Sequence, residues 1–230
     1  MNPTNTIRLL TVLFNFEIEP TEINQFRGAV IKTTQGKNSL FHNHSPSGNI
    51  YRYPKIQYKQ MYKKAALLCI EEGIEGMQDF FSQTDWKMEI GREKKEITVA
   101  QIKVQQYRVA VWADRFEYQI THWLPLNQDN YKRYHELPGL SEKIQLLEKI
   151  LLANILSFLQ GIDLYVQEKI EVKIRSIQKE RILIYKGQQM QAFTLQFSTN
   201  VSLPNFIGLG KGSSVGFGVI KEIMANNKNK

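Results

Sequence analysis

The sequence predicts an α+β fold built from two consecutive domains. The first ninety residues alternate strand-like segments with two helix-like segments. A charged break follows at residues 91–96, and beyond it further strand-like segments surround one long amphipathic helix. A chain of 230 residues fits one large domain or two small ones. The break between two differently patterned halves favours two.

In the first half, each element follows from a local pattern. Residues 7–16 are dense in Leu, Val and Phe, which is typical of a buried strand. Pro20 then begins a helix whose apolar residues Ile23, Phe26 and Val30 lie near one face. Further strands are predicted at residues 51–58, 64–70 and 86–90, and a short helix at residues 73–81. The resulting order β-α-β-β-α-β is that of a ferredoxin-like fold.

The second half is less regular. Its clearest element is a helix at residues 141–160, where Leu147, Leu151, Ile155 and Phe158 recur at helical spacing. Strands are predicted at residues 97–104, 107–112, 117–124, 170–177, 181–185 and 191–197, with a closing segment at 219–224. No helix pattern separates the last strands, so this half agrees only loosely with a second ferredoxin-like unit. The predicted domains are residues 1–91 and 97–230.

Composition limits the classes of function. Lys and Arg outnumber Asp and Glu by 30 to 22, giving a formal charge of +8 and a pI near 9.4. That surplus favours a polyanionic partner such as RNA, DNA or a membrane surface. The one cysteine, Cys69, excludes a disulfide framework or a thiolate zinc site within a single chain. Residues 1–30 lack a signal-peptide pattern and residues 144–159 are too polar for a membrane span, so we expect a cytoplasmic protein.

The first candidate site is Leu40-Phe-His-Asn-His44, in a long polar loop. His42 and His44 lie two positions apart, and in extended backbone such a pair points to one side. Histidine both accepts and donates a proton near neutral pH, as RNA cleavage by its own 2′-hydroxyl requires. The alternatives are two surface histidines or half of a metal site. The metal site is disfavoured because acidic residues, which could complete it, are scarce nearby in the sequence. The other histidines, His122 and His135, are interpreted as structural and surface residues.

The second candidate is a strand-like segment that interleaves tyrosines with cations. It contains Tyr51, Arg52, Tyr53, Lys55, Tyr58 and Lys59. Aromatic faces stack on bases and cations meet phosphates in the recognition of single-stranded RNA. The alternative is an ordinary strand with a half-buried tyrosine face.

The third candidate is a glycine-rich run near the C-terminus. Five of the fourteen glycines fall at residues 208–218, with Lys211 among them. Glycine lets a backbone approach an anion closely and turn its N–H groups toward it. The order matches neither a P-loop, since Gly212 follows Lys211, nor a dinucleotide fingerprint. A clamp for an RNA backbone is the functional interpretation, and a flexible loop is the alternative.

Together these segments resemble the CRISPR-associated repeat-RNA endoribonucleases of the RAMP (repeat-associated mysterious protein) superfamily, in their b-type branch. The resemblance covers nearly the whole chain. It is carried by Phe26-Arg-Gly-Ala29, by Leu40-Phe-His-Asn-His44, by the Tyr/Lys segment at residues 51–59 and by the glycine-rich run at residues 208–218. The last, which ends in Gly-Phe-Gly near the final strand, is the most specific.

The resemblance implies two tandem ferredoxin-like (RAMP/RRM-like) domains with antiparallel sheets. It also implies a metal-independent endoribonuclease that cuts CRISPR precursor RNA within each repeat and needs no cofactor. Attack by the 2′-hydroxyl would leave 2′,3′-cyclic phosphate and 5′-hydroxyl ends. The alternatives are a non-catalytic RNA-binding subunit of a CRISPR effector complex and, disfavoured by the missing P-loop, a small-molecule phosphate-binding protein. Expected partners are CRISPR repeat RNA, hairpin or not, with effector subunits or a second copy, and no membrane.

Carried over residue by residue, the resemblance assigns His44 as the main general acid/base and His42 as its partner. Tyr51 would orient the ribose or phosphate. Chemistry rather than the family suggests Lys59 or Lys55 as the cation that stabilises the pentavalent phosphate. The expected RNA-binding residues are Arg52, Lys55, Gly208, Gly210, Lys211, Gly212, Gly216 and Gly218.

Overall fold

The computed structural model describes residues 5–34, 39–41, 44–45, 48–49, 53–82, 86–91 and 93–223. The chain forms two units. The N-terminal unit comprises Met1–Arg108 together with two short later segments, Gly161–Asp163 and Ser214–Gly216. The C-terminal unit comprises Val109–Gln160, Leu164–Ser213 and Phe217–Lys230.

The N-terminal unit contains a four-stranded antiparallel sheet, two separate two-stranded hairpins and two helices. Its strands are β1 (Thr6–Glu17), β2 (His44–Ser45), β3 (Gly48–Asn49), β4 (Ile56–Met61), β5 (Lys64–Ile70), β6 (Lys87–Ile90), β7 (Glu93–Glu96) and β8 (Val99–Arg108), and its helices are α1 (Ile23–Thr33) and α2 (Glu72–Phe81). The main sheet has the order β4-β5-β1-β8, and β2-β3 and β6-β7 form separate hairpins. With α1 after the first sheet strand and α2 after the third, this is the ferredoxin-like arrangement.

The last strand of this sheet is not the one predicted. Residues 86–90 do contain a strand, but β6 pairs with β7 in a hairpin of its own. β8 instead runs along β1, from Thr6↔Arg108 to Phe14↔Val99, and so supplies the hydrogen-bonding partner for that edge of β1. For the same reason the units meet at residues 108–109 in the chain, whereas the charged break at residues 91–96 lies within the N-terminal unit.

An aromatic cluster joins the helices of this unit to the sheet. The ring of Phe14 lies 5.6 Å from Phe26 of α1 and 5.9 Å from Phe80 of α2, both edge to face. Tyr58 of β4 extends the cluster, with its ring 5.8 Å from that of Phe26. Such edge-to-face pairs add to the free energy gained by burying the rings.

The C-terminal unit repeats the strand order with different connections. Its elements are β9 (Val111–Trp123), α3 (Gln128–Glu136), α4 (Leu140–Gly161), β10 (Val172–Tyr185), β11 (Gln188–Val201) and β12 (Val219–Glu222). The sheet order is β10-β11-β9-β12, again ferredoxin-like. Two predicted strands, at residues 170–177 and 181–185, are one strand with two irregularities, and residues 202–218 connect β11 to β12 without a helix.

Helix α4 supplies the core of this unit. Leu147, Leu151, Ile155 and Phe158 have no solvent exposure, in agreement with the predicted apolar face. The indole N–H of Trp123 donates to Asn154 Oδ1 at 2.9 Å and satisfies both polar groups inside the fold. With 22 residues and a mean hydropathy of 1.2, α4 would pass for a membrane span by length and composition alone, as core helices often do.

Candidate functional site

The structure describes only the backbone of part of the histidine segment. His44 begins β2, which pairs with β3 through His44↔Asn49 and Ser45↔Gly48. His42, Tyr51 and Arg52 lie outside the described residues. The roles assigned to these four residues therefore stay predictions. What the backbone adds is that His44 stands on one arm of a short hairpin between α1 and β4.

The turn just before this hairpin is fixed to the core. Residues Ser39–Phe41 form a single 3-10 turn, and Phe41 is buried. The Tyr58 hydroxyl donates a hydrogen bond to the carbonyl oxygen of Phe41 at 3.3 Å. Burial raises the pKa of Tyr58, so the phenol stays protonated and keeps donating at any physiological pH. His44 thus lies three residues beyond a fixed point.

Burial also decides whether the tyrosines of the segment at residues 51–59 could stack on bases, at the two of them that the structure describes. Tyr53 and Tyr58 are both buried, with Tyr58 wholly enclosed. Neither ring is open for stacking on a base. Tyr58 is thus a buried residue of β4, and Tyr53 is buried just before that strand, so the two rings belong to the core.

Lys55 is held by the start of α2. Its Nζ lies 2.9 Å from Glu72 Oε2, and its side chain is 10% exposed. Its carbonyl accepts from the Ile70 N–H at 2.8 Å, and a Cβ on Gly73 would collide with that carbonyl oxygen. Lys55 therefore carries a carboxylate partner in this structure, and its predicted contact with RNA stays a prediction.

Lys59 lies in the middle of β4 with no solvent exposure. Its neighbour Tyr58 points to α1, and alternate side chains of a strand point to opposite faces, so Lys59 lies on the face away from α1. Burial lowers its pKa from 10.5 to about 7, because the charged form loses its hydration. An amine with such a pKa exists in both protonation states near neutral pH. Its predicted role toward phosphate stays untested.

Arg27 is a cation of this region to which the sequence analysis gave no role. It lies in α1, inside the segment Phe26-Arg-Gly-Ala29, and its charge acts on the Tyr58 hydroxyl, lowering the pKa of that group against the larger effect of burial. The buried Nε has no hydrogen-bond partner among the described residues. A guanidinium nitrogen without a partner beside the Phe41 anchor is unusual, since buried polar groups are nearly always paired.

The glycine-rich run is built into the fold. Four of its backbone N–H groups donate to carbonyls within the protein: Leu209 to Gly218, Ser213 to Gly210, Phe217 to Gly212 and Gly218 to His122. Four glycines have a positive φ: Gly210, Gly212, Gly216 and Gly218. Lys211, at the tip, is exposed. The run is a shaped turn rather than a merely flexible loop, and the binding of an RNA backbone by it stays a prediction.

No metal site emerges from the part of the chain that the structure describes. Within it, no three His, Cys, Asp or Glu residues lie close enough together to hold an ion. The histidine segment is only partly inside that range, so metal independence is not tested by this finding.

Comparison with known proteins places both units in one family description. Residues 5–108 match the Cas6b N-terminal domain, and residues 110–223 match the Cas6b C-terminal domain. An uncharacterized protein of Methanocaldococcus jannaschii is 35% identical over 121 residues, which is 53% of this chain and 80% of that protein.

Two crystal structures share the fold. One, of Cas6b, has a TM-score of 0.87 at 24% identity and covers 95% of this chain and 100% of its own. The other, of the CRISPR RNA processing endoribonuclease Cas6b, has a TM-score of 0.72 at 22% identity with the same coverage. The predicted fold class, two tandem ferredoxin-like domains with antiparallel sheets, is thereby confirmed.

Proposed function

The chain belongs to the Cas6b family, and we propose that it is a cytoplasmic endoribonuclease that cuts CRISPR precursor RNA within each repeat. The observation that carries the proposal is a histidine hairpin anchored to the core of a chain that matches both Cas6b domains. RNA is the substrate named for one of the solved relatives, and the charge of +8 suits it. Effector subunits or a second copy as partners rest on the family resemblance alone.

The proposed reaction is an internal transesterification that needs no metal. A base removes the proton of the 2′-hydroxyl, whose oxygen attacks the adjacent phosphorus. The bond from phosphorus to the 5′-oxygen breaks, and an acid donates a proton to that leaving oxygen. The products are a 2′,3′-cyclic phosphate and a 5′-hydroxyl. His44 is proposed as the principal acid/base, His42 as its partner, and Tyr51 as the group that orients the ribose or phosphate.

The pentavalent phosphate carries extra negative charge, which a cation in a water-poor site stabilises. Lys59 and Lys55 were the candidates from sequence. Lys55 already pairs with Glu72, and Lys59 is enclosed. Arg27 joins them, because its Nε lacks a partner among the described residues and its charge reaches the Tyr58 hydroxyl that anchors Phe41.

The experiment is a cleavage assay with the full chain, a labelled CRISPR repeat RNA and excess EDTA. We expect one cut, blocked by a 2′-deoxy substitution at the scissile nucleotide and slowed about 100- to 10,000-fold in His44→Ala. His42→Ala, Arg27→Gln and Lys59→Met run beside it, with exposed Lys103→Met on β8 as the control.

Two results would contradict the proposal. Cleavage that EDTA abolishes would mean a metal-dependent nuclease. Tight binding with no cut, in the wild-type chain, would favour the RNA-holding subunit of an effector complex instead.

A further inference from the structure

Within the part of the chain that the structure describes, strand β10 of the C-terminal sheet carries cations that form salt bridges and cations that do not. On β10, Lys173 pairs with Glu148 and Arg175 pairs with Glu117. Further along the same strand, Lys179 and Arg181 have no salt-bridge partner among the described residues. Their sequence neighbour Glu180 lies on the opposite face of the strand, where its carboxylate accepts from the side-chain amide of Gln191. The distal half of β10 therefore carries two cations without an ion-pair partner among the described residues.

The register puts both cations on one face of the sheet. Lys179 pairs with Thr194 of β11, and Arg181 pairs with Ala192, two residues away and so on the same face. Glu180 pairs with Phe193, which is enclosed in the core on the opposite face. Lys179 and Arg181 thus share the face that turns away from the core.

His122 of β9 completes the group. The register between β9 and β11 shifts between Phe193 and Leu195, and His122 lies in that bulge, where its N–H donates to Thr194 Oγ1 at 3.4 Å. Its φ of 50° is a left-handed conformation that side chains other than glycine rarely adopt. Thr194, which accepts that hydrogen bond, is the residue that pairs with Lys179 of β10, so His122 lies one strand away from Lys179. Burial lowers the pKa of His122, and the charges of Arg181 and Lys179 lower it further. No hydrogen bond to the imidazole is found among the described residues.

The glycine-rich run adjoins this group within the C-terminal unit. The Gly218 N–H donates to the carbonyl of His122 at 3.3 Å. At the far end of β10, the Tyr185 ring lies 5.3 Å from that of Phe217, and a Cβ on Gly212 would contact both rings. Exposed Lys211 follows Gly210 in the same turn. The glycine-rich run therefore packs against the distal end of β10 and presents Lys211 as an exposed cation.

We propose that Lys179, Arg181 and His122 form a phosphate-binding site for the RNA backbone on the face of the C-terminal sheet opposite its core. The assignment of RNA as the ligand rests on the proposed function. Two cations on one face, neither paired with a carboxylate among the described residues, repel each other in the free protein, and an anion relieves that repulsion. A guanidinium offers a phosphate two parallel N–H donors, and the imidazole adds a third group that can donate. The site binds RNA and takes no part in the bond-breaking step.

The test compares two double variants of the full chain that each remove two cations from β10. Lys179→Ala/Arg181→Ala removes the unpaired ones, and Lys173→Ala/Arg175→Ala removes the paired ones. RNA affinity is measured by fluorescence anisotropy over a series of KCl concentrations. Each lost phosphate contact lowers the slope of log K against log salt by about 0.7 on single strands. We expect the first variant to bind roughly 10-fold more weakly with its slope reduced by about 1 to 1.5. The control should stay within about twofold of wild type with its slope unchanged.

A second readout follows His122 itself. In NMR spectra of the wild-type chain, with His122→Gln for assignment, its imidazole resonance should shift on adding a 2′-deoxy, uncleavable repeat RNA. Inorganic phosphate at equal ionic strength is the second arm. A shift with inorganic phosphate but none with RNA would mean a site for a small anion and would overturn the assignment. Equal affinity and slope in wild type and Lys179→Ala/Arg181→Ala would overturn it as well.

These outcomes separate this inference from the proposed function. If the wild type binds RNA through these residues but makes no cut, the site stands and the nuclease proposal fails. If the wild type cuts, and the first double variant binds and cuts equally well, the nuclease stands and this site does not exist. At saturating RNA, the single-turnover rate of that variant should match wild type, since the site only holds the substrate.

Discussion

The two units of this chain have the same strand order but differ in how their strands are joined. In the N-terminal unit, the connection into the second sheet strand carries the histidine hairpin, and the third and fourth strands are joined through α2. In the C-terminal unit, α3 and α4 fill the first connection, and the glycine-rich run takes the place of the second helix. The sheet is thus a common scaffold, and the histidine hairpin and the glycine-rich run lie in the connections, where the units differ.

The second sheet strands differ as well. In the N-terminal unit, Lys59 of β4 and Lys55, which directly precedes β4, are buried, whereas β10 of the C-terminal unit leaves Lys179 exposed and Arg181 partly exposed. A buried lysine with a pKa near 7 is suited to a role inside a closed site. Exposed cations without carboxylate partners are suited to holding a polyanion. This difference agrees with the proposals that RNA is cut at the N-terminal unit and bound by the C-terminal unit.

The largest effect on stability should come from a substitution in the glycine-rich run, which takes the place of the second helix in the C-terminal unit. Gly218 has a φ of 61°, and a Cβ there would collide with the carbonyl oxygen of Leu209. Gly218→Ala should therefore lower the free energy of unfolding by more than the ~1–2 kcal/mol that a left-handed alanine costs. Gly187→Ala is the control, because its φ is 76° with open space around it. Urea unfolding measures both, and equal losses would mean that the close approach to Leu209 contributes nothing.

The next effect concerns the buried cation of β4. The pKa of Lys59 falls from 10.5 when unfolded to about 7 when folded, so between these pH values the unfolded chain binds more protons. Stability should therefore rise with pH from about 7, by up to ~1.4 kcal/mol per unit, and this contribution should be absent in Lys59→Met. Urea unfolding at pH 7, 8 and 9 measures it. Exposed Lys103→Met should keep the wild-type slope, and an unchanged slope in Lys59→Met would show that Lys59 is not the titrating group.

A smaller effect tests whether the core anchor serves the histidine hairpin. Tyr58→Phe removes the hydrogen bond to Phe41 and should cost about 1 kcal/mol of stability. Tyr118→Phe, whose hydroxyl accepts from the Leu203 N–H at 2.8 Å, should cost a similar amount in the C-terminal unit. Only Tyr58→Phe should slow single-turnover cleavage, because only that bond fixes the start of the hairpin. Equal cleavage rates in the two variants would mean that the hydrogen bond between Tyr58 and Phe41 does not contribute to cleavage.

The smallest effect concerns the tip of the glycine-rich run. Lys211→Ala should weaken RNA binding by a few-fold and lower the salt slope by about 0.7, as one lost phosphate contact does. Lys149→Ala, an exposed lysine on α4, is the control and should match wild type. A Lys211 variant that binds with the wild-type slope would mean that the run is a structural connection only.

Sequence patterns predicted the elements whose side chains alternate cleanly between core and solvent. α4 begins and ends within one residue of its prediction, because its apolar face is continuous. α3 was missed, since of its residues only Tyr134 is buried and the rest are polar. The fourth sheet strand of the N-terminal unit was misassigned because the strand predicted at residues 97–104, which overlaps β8, follows the charged break and was placed in the second domain.

The candidate functional residues also fall into those that the sequence pattern reveals and those that only the structure reveals. A histidine pair two residues apart is visible in sequence because its members are neighbours. The group on the C-terminal sheet is not visible, since His122 and Arg181 meet only through strand register, and His122 alone resembles a structural residue. That the buried Nε of Arg27 lacks a hydrogen-bond partner within the described part of the chain is likewise visible only in the structure, since no local pattern predicts burial.

The most direct test of the division of labour is to measure rate and affinity separately in His44→Ala. Single-turnover cleavage at saturating RNA gives the rate, and anisotropy with an uncleavable 2′-deoxy RNA gives the Kd. The account predicts a rate about 100- to 10,000-fold below wild type with a Kd within about twofold. A cleavage rate equal to wild type at saturating RNA would contradict it. So would a loss of cleavage that is seen only at subsaturating RNA and is fully explained by a weaker Kd.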